Sequence, residues 1–175
     1  MILRKVNAVV SLFITVMLLN HAICHALWML TSGKIALPQS ILPWMLFGLM
    51  MLHAVISIVL AVLGHKGAEK RKCKEYPKLN KATIFQRMSG VSLIIFTALH
   101  VLGTVGILEP PYIIHAILPP IFFAVVLMHT AISGSKAFIT LGIGSAKAIG
   151  VIDIAIKLIC GITLIADVIG FYLYI

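Results

Sequence analysis

Residues 41–63 read ILPWMLFGLMMLHAVISIVLAVL, an apolar stretch that contains no Asp, Glu, Lys or Arg. An α-helix rises about 1.5 Å per residue, so roughly 20 apolar residues are enough to cross the hydrocarbon core of a bilayer. Four further apolar stretches occupy approximately residues 6–30, 88–108, 111–133 and 149–174. The sequence therefore predicts an all-α fold, a membrane bundle of five transmembrane helices in a single domain spanning residues 1–175.

The composition supports a membrane protein. Of the 175 residues, 61% are hydrophobic and only 11% are charged, values that a water-soluble domain of this size would not carry. The first stretch follows Arg4 and Lys5 as a signal peptide would, but it is too long and has no clear small-residue cleavage site. We therefore interpret it as a retained helix.

The basic residues are placed unevenly along the chain. A net charge of +9 would suggest nucleic acid as the partner of a soluble protein, but here the placement explains the charge and we expect no nucleic-acid partner. One side of the predicted bundle receives Arg4, Lys5, Lys66, Lys70, Arg71, Lys72, Lys74, Lys78, Lys81, Arg87, Lys136 and Lys147. Lys34 falls on the opposite side. The positive-inside rule then predicts a multi-pass protein of the cytoplasmic membrane, with the N-terminus cytoplasmic and the C-terminus external.

Two predicted connections between helices lie on the basic side of the bundle. The loop over residues 65–87 fits either a solvated connection or a docking surface for an acidic partner or anionic lipid headgroups. Residues 134–148 are rich in Gly and Ser, and we expect them to lie along the cytoplasmic interface.

Pro119 and Pro120 fall inside the fourth span, where they should kink the helix.

Four histidines stand one in each of the first four spans. Counted from the cytoplasmic end of its span, His21 lies at a height of about 24 Å and His100 about 20 Å. His53 lies at about 16 Å and His129 at about 7 Å. The first and third helices therefore pair their histidines in the outer half, and the second and fourth helices pair theirs in the inner half.

Histidine inside hydrocarbon is expensive unless it has a partner, and neutral imidazole is a common axial ligand of haem iron. A single such histidine would be explained by an interhelical hydrogen bond, but two depth-matched pairs favour two bis-histidine haems. The chain has no Cys-x-x-Cys-His motif, so a haem would be held by its axial ligands alone, as haem b. Arg87, Ser89 and Lys136 are candidates to bind haem propionates, although snorkelling explains Arg87 nearly as well.

The stretch from Gln86 to His100, QRMSGVSLIIFTALH, resembles the third helix of the cytochrome b membrane anchor of succinate dehydrogenases and fumarate reductases. The similarity is to the single-subunit, five-helix, two-haem type. Shorter similarities surround the other three histidines. In some two-haem fumarate reductases a glutamate precedes the helix-four ligand by two positions, whereas this chain has Leu127, which puts a transmembrane proton path of that kind in doubt.

The resemblance implies a function in electron transfer. His21 and His100 would ligate the distal haem, and His53 and His129 the proximal one. A flavoprotein and an iron–sulfur subunit would dock on the cytoplasmic face, and electrons would pass between them and a membrane quinone, which we expect to be menaquinone. The chain would thus be the non-catalytic, quinone-reactive subunit of a respiratory complex that could form higher oligomers.

Three further residues are candidates for quinone binding or proton transfer. His25 lies one turn above His21 and could replace it as a ligand, although we favour His21. His115 opens the fourth helix, where it fits an interfacial position or a contact to bound quinone. Asp167 stands roughly 21 Å above Asp153 without an obvious partner in sequence, and fits either proton exchange with quinol or proximity to external headgroups.

The chain has no nucleophile or nucleotide-binding motif, so we expect no catalytic residue within it. Three alternatives remain open. One is a b-type subunit of another membrane oxidoreductase, such as a formate dehydrogenase or hydrogenase. The others are a haem-free anchor and a small transporter that uses the histidines to bind a metal ion.

Overall fold

A computed structural model describes residues 2–31, 34, 42–70, 81–107 and 112–174, with the side chains at several helix ends excepted. The described helices are α1 (Ile2–Leu30), α2 (Leu42–Lys70), α3 (Lys81–Thr104), α4 (Tyr112–Leu141) and α5 (Ala146–Tyr174). Each of these five contains a segment long and apolar enough to cross a membrane. The prediction of an all-helical protein with five candidate membrane spans is therefore confirmed.

Helices α2 and α3 extend further than their apolar segments. Helix α2 continues to Lys70 and α3 begins at Lys81, so much of the predicted basic loop over residues 65–87 is helical. Lysine, glutamate and alanine favour helix, yet their polarity hides such helix ends from a hydropathy pattern. Residues 71–80 lie outside the described residues.

Most of residues 134–148, predicted to connect the fourth and fifth helices, belongs to those helices, while their location at the cytoplasmic interface stays a prediction. Helix α4 continues to Leu141, and its end is set by Gly142, whose φ of 72° suits glycine. The Ile143 N–H donates to the Phe138 carbonyl at 3.0 Å, which closes the last turn. Pro119 and Pro120 lie inside α4, as predicted.

Contacts between helices give their relative directions. Asn7 on α1 meets Ser57 on α2, Ser89 on α3 meets His129 on α4, and Ser135 on α4 meets Asp153 on α5. Gln86 of α3 also meets Lys136 of α4, and Gly134 of α4 approaches Ile156 of α5, so the α3–α4 and α4–α5 pairs are antiparallel. His25 on α1 meets Asp167 on α5, so these two helices run parallel.

We define the basic end of the bundle as the end where α1, α3 and α5 begin, because Arg4, Lys5 and Arg87 lie there. The opposite end is the far end. Helix α1 packs against α2, α4 and α5, while α4 also packs against α3 and α5. Among the described residues, the remaining helix pairs make no extensive contact.

The interior is built mainly from small and polar side chains. Buried residues of this kind are Ala8, Ala22, Ala26, Ser89, Thr97, Thr130, Ser135, Ala137, Cys160, Thr163 and Asp167. Many large apolar side chains point outward, among them Phe13, Leu158 and Ile165. Small residues let helix backbones approach closely inside a membrane, where lipid solvates the large apolar side chains.

Gly170 marks a close approach between α5 and α1. A Cβ atom added there would lie 2.9 Å from the Met29 Cβ and 3.4 Å from the Leu30 backbone nitrogen. We expect Gly170→Ala to destabilise the bundle by about 1–3 kcal/mol, because the two helices must separate to admit the methyl group. Reversible unfolding of the detergent-solubilised protein in SDS measures the change.

The matched control is Gly161→Ala on the same helix, where an added Cβ would meet nothing within 4 Å. It should leave stability unchanged or raise it, since alanine favours helix over glycine. Equal destabilisation by the two substitutions would contradict the importance of the α1–α5 approach.

Candidate functional site

Two histidines from different helices meet toward the basic end. His53 on α2 and His129 on α4 are close enough for their charges to interact. The His53 ring also interacts with the backbone carbonyl of Asn7, near the start of α1. We call His53, His129 and their contacts the basic-end cluster.

His129 is held against α3. Its Nδ1 lies 2.9 Å from the Ser89 Oγ, and its ring also interacts with the backbone carbonyl of Gln86. The neighbouring Gly90 lets the ring approach, because a Cβ there would lie 3.4 Å from the His129 Cε1. These contacts hold the His129 imidazole against α3, beside the Gln86–Gly90 segment.

Three histidines gather toward the far end. His100 on α3 interacts electrostatically with both His21 and His25 of α1. The structure thus brings the expected His21 and His100 together, but it also keeps His25 within range. We call these three residues and their contacts the far-end cluster.

Two phenylalanines of α4 lie between the histidines of the far-end cluster. The ring centroids of His25 and Phe123 are 5.0 Å apart, and those of His100 and Phe122 are 5.1 Å apart. The ring centroids of Phe122 and Phe123 are 6.3 Å apart. Sequence analysis missed both residues, although their position just beyond Pro119 and Pro120, after Ile121, could have pointed to them.

Asp167 has a partner, contrary to the expectation from sequence. Its Oδ1 lies 3.2 Å from the His25 Nδ1, and the carboxylate is fully buried while the His25 side chain is 27% exposed. A buried carboxylate is costly unless it is paired, and the imidazole supplies that pairing. The partner was not visible in sequence because 142 positions separate the two residues.

The propionate candidates occupy three different environments. Ser89 is buried and contacts His129, as described above. The Lys136 ammonium donates to the Gln86 side-chain oxygen, which links α4 to α3 near the same end. The Arg87 side chain is exposed on α3.

His115 falls in the first turn of α4, and its side chain lies outside the described residues. At the other end of the bundle, Asp153 pairs with Lys157 across one helical turn. Ser135 of α4 donates to the same carboxylate at 2.6 Å. The Asp153 carboxylate is thus satisfied by its neighbours and has a structural role.

Several buried polar atoms of the described residues have no hydrogen-bond partner, and they lie near the histidines. They are the Asn7 Oδ1, the His53 Nδ1, the Thr97 Oγ1, the Ser133 Oγ and the Asp167 Oδ2. Leaving a buried polar atom unpaired costs about 1–3 kcal/mol, so native proteins normally supply a partner. Thr97 is three residues before His100 and Ser133 is four residues after His129, so each stands about one helical turn from a histidine of a cluster.

In each expected histidine pair the two side chains come from different helices. The first expected histidine pair spans α1 and α3 and the second spans α2 and α4, two helix pairs without extensive packing among the described residues. Two imidazoles from different helices are the protein ligands that a bis-histidine haem would need. The residues present therefore fit two haems held by paired histidines.

No group of three or more His, Cys, Asp or Glu side chains in the described part of the chain is arranged to hold a bare metal ion. A bis-histidine haem needs only two protein ligands, because the porphyrin supplies the other four. The arrangement thus offers no specific support to the metal-transporter alternative.

Comparison with known proteins adds no further constraint. No protein-family model, curated protein or solved structure matches this chain. Any assignment to a family therefore depends on the residues and contacts described above.

Proposed function

We propose that this chain is a dihaem cytochrome b that anchors a succinate dehydrogenase or fumarate reductase in the cytoplasmic membrane. It exchanges electrons between membrane quinone and the flavoprotein and iron–sulfur subunits on the cytoplasmic side. The observation that carries the proposal is the presence of interacting histidines at two levels of a five-helix bundle.

His53 and His129 hold the proximal haem, and His21 and His100 hold the distal one. Two haems b, when bound, supply one-electron steps between the quinone site and the iron–sulfur subunit. The protein residues fix ligation, spacing and the exclusion of water. The dicarboxylate chemistry takes place on the partner subunits, so this chain needs no catalytic nucleophile or base for it.

The basic end faces the cytoplasm in this proposal, following the positive-inside rule. Lysines and arginines there suit a surface that meets both anionic lipid headgroups and an acidic protein partner. The proximal haem, which lies toward this end, is then the one nearer the iron–sulfur subunit.

The far-end cluster supplies a site for quinol. Oxidation of one quinol to quinone releases two electrons and two protons, and the protons need acceptors. The buried Asp167–His25 pair is such an acceptor, and one carboxylate oxygen has no hydrogen-bond partner among the described residues. In the opposite direction the same pair returns protons to the quinone.

The first test is haem content. The full chain, purified with its partners in mild detergent, is examined by a dithionite-reduced minus oxidised spectrum and a pyridine haemochrome assay. We expect two low-spin haems b per chain, together with covalent or tightly bound flavin and iron–sulfur signals in the complex. Quinol-dependent fumarate reduction or succinate-dependent quinone reduction accompanies them.

Other results lead to specific alternatives. A complex with haem b but with a molybdenum or nickel subunit would assign the chain to another membrane oxidoreductase. An assembled flavoprotein complex without haem would make the chain a haem-free anchor and overturn the dihaem proposal.

A further inference from the structure

Ser89 of α3 contacts His129 of α4, whereas the sequence had suggested Ser89 as a residue that binds haem propionates. Ser89 is 4% exposed, and its Oγ lies 2.9 Å from the His129 Nδ1. The contact joins α3 to α4 at the basic-end cluster. Ser89 therefore lies beside the His129 imidazole and can act on it directly.

The direction of this hydrogen bond follows from counting protons. The Ser89 hydroxyl has one proton, and its oxygen lies 3.1 Å from the backbone carbonyl of Gln86, which can only accept. When the proton is donated to that carbonyl, the oxygen can only accept from His129. The Nδ1 of His129 must then carry the ring proton.

The Gln86 carbonyl strengthens this assignment because it also interacts with the His129 ring. The Ser89 oxygen, with its own proton on the Gln86 carbonyl, is an acceptor and favours a proton on the Nδ1 that faces it. The side chain of Gln86 is in turn held by Lys136, which ties this segment of α3 to α4.

A proton on Nδ1 leaves Nε2 of a neutral imidazole with its lone pair. Histidines that bind metals commonly donate their other ring N–H to a nearby acceptor, which fixes the tautomer and makes the ligand more basic. We infer that Ser89, backed by the Gln86 carbonyl, is a positioning residue that holds His129 as the Nδ1–H tautomer and presents Nε2 to haem iron. The tautomer is a property of the protein alone, whereas the iron ligation rests on the proposed function.

The tautomer can be measured without haem. The full chain, labelled with ¹⁵N-histidine and produced under haem limitation, is studied by solid-state NMR in lipid, with His129→Ala used to assign the resonance. We expect the His129 Nδ1 to be protonated and Nε2 to be unprotonated. Ser89→Ala should shift or split these resonances, and Ser89→Thr should restore them because it keeps the hydroxyl.

The haem-loaded complex gives the second readout. Loss of the acceptor makes the imidazole a weaker donor to ferric iron, so Ser89→Ala should raise the midpoint potential of one haem and shift its low-spin EPR signal. The other haem should be unchanged. The matched control is Ser92→Ala, whose hydroxyl donates to the Met88 carbonyl at 3.1 Å on the same helix and should move neither signal.

The outcomes distinguish failure of the Ser89 assignment from failure of the proposed function. A protonated Nε2 on His129 in the unaltered protein, or equal effects of Ser89→Ala and Ser92→Ala, would overturn the role of Ser89. A protonated Nδ1 in a chain whose assembled complex contains no haem would sustain the Ser89 assignment and overturn the proposed function.

Discussion

The His129→Ala variant is expected to contain one haem b per chain in place of two, and its remaining haem should keep its spectrum and midpoint potential. In the proposed function the His129 imidazole would be one of the two protein ligands of the proximal haem, and His53 alone would not retain it. Removal of His100 should produce the complementary loss, leaving the proximal haem in place. Pyridine haemochrome analysis and redox titration of the purified complex measure both results.

Double substitutions test which histidines share an iron. If His53 and His129 share one haem, as proposed, the double alanine variant should still contain one haem, the same number as either single variant. The combination of His100→Ala with His129→Ala should contain none. This contrast depends on pairing and would not arise from general damage to the membrane domain.

Met128→Ala is the matched control, since this exposed side chain neighbours His129 on α4 and should not affect haem content. Supplying imidazole during assembly should restore the missing haem to His129→Ala if the cavity is the cause. Retention of two haems by His129→Ala would remove this residue from the ligand set.

The second large effect concerns the far-end cluster, where Asp167→Asn should slow quinol oxidation about 100-fold or more while both haems remain. The substitution keeps the shape of the side chain but removes the carboxylate that contacts His25 and that is the proton acceptor in the proposed function. His25→Ala should act in the same direction. Steady-state quinol oxidation, measured together with haem content, separates proton transfer from assembly.

Asp153→Asn is the control for this prediction. It removes a carboxylate from the same helix near the basic end, where Ser135 and Lys157 are its partners. Quinol oxidation should be unaffected by it. Loss of the distal haem from His25→Ala but not from His21→Ala would exchange the roles of these two histidines and make Asp167 the residue that orients a ligand.

Hydropathy was sufficient to predict the five helices, because a membrane-spanning segment must be apolar along its length. It missed the helical extensions to Lys70 and from Lys81, where charged residues continue the backbone beyond the apolar core. The end of the fourth helix predicted at residue 133 was also too early, because Gly134 was interpreted as part of a loop. In the structure Gly134 is buried, and an added Cβ there would lie 2.9 Å from the Ile156 side chain.

The fixed rise of the helix was sufficient to divide the histidines between two levels. It could not give the rotation of each helix about its axis, and rotation decides which side chains face each other. The contacts of Ser89 with His129 and of His25 with Asp167 both depend on that rotation. The choice between His21 and His25 was open in the sequence for the same reason, since both lie on the same face of α1.

The close parallel packing of α1 against α5 has a consequence for biosynthesis. Of the five described helices, α1 leaves the ribosome first and α5 last, so the small-residue face of α1 stays without α5 until that helix is made. His25 likewise meets Asp167 only when α5 enters the membrane. The order of synthesis therefore makes closure of the bundle a late step, and a stalled chain that lacks α5 would display an unfinished surface to the membrane's quality-control proteases.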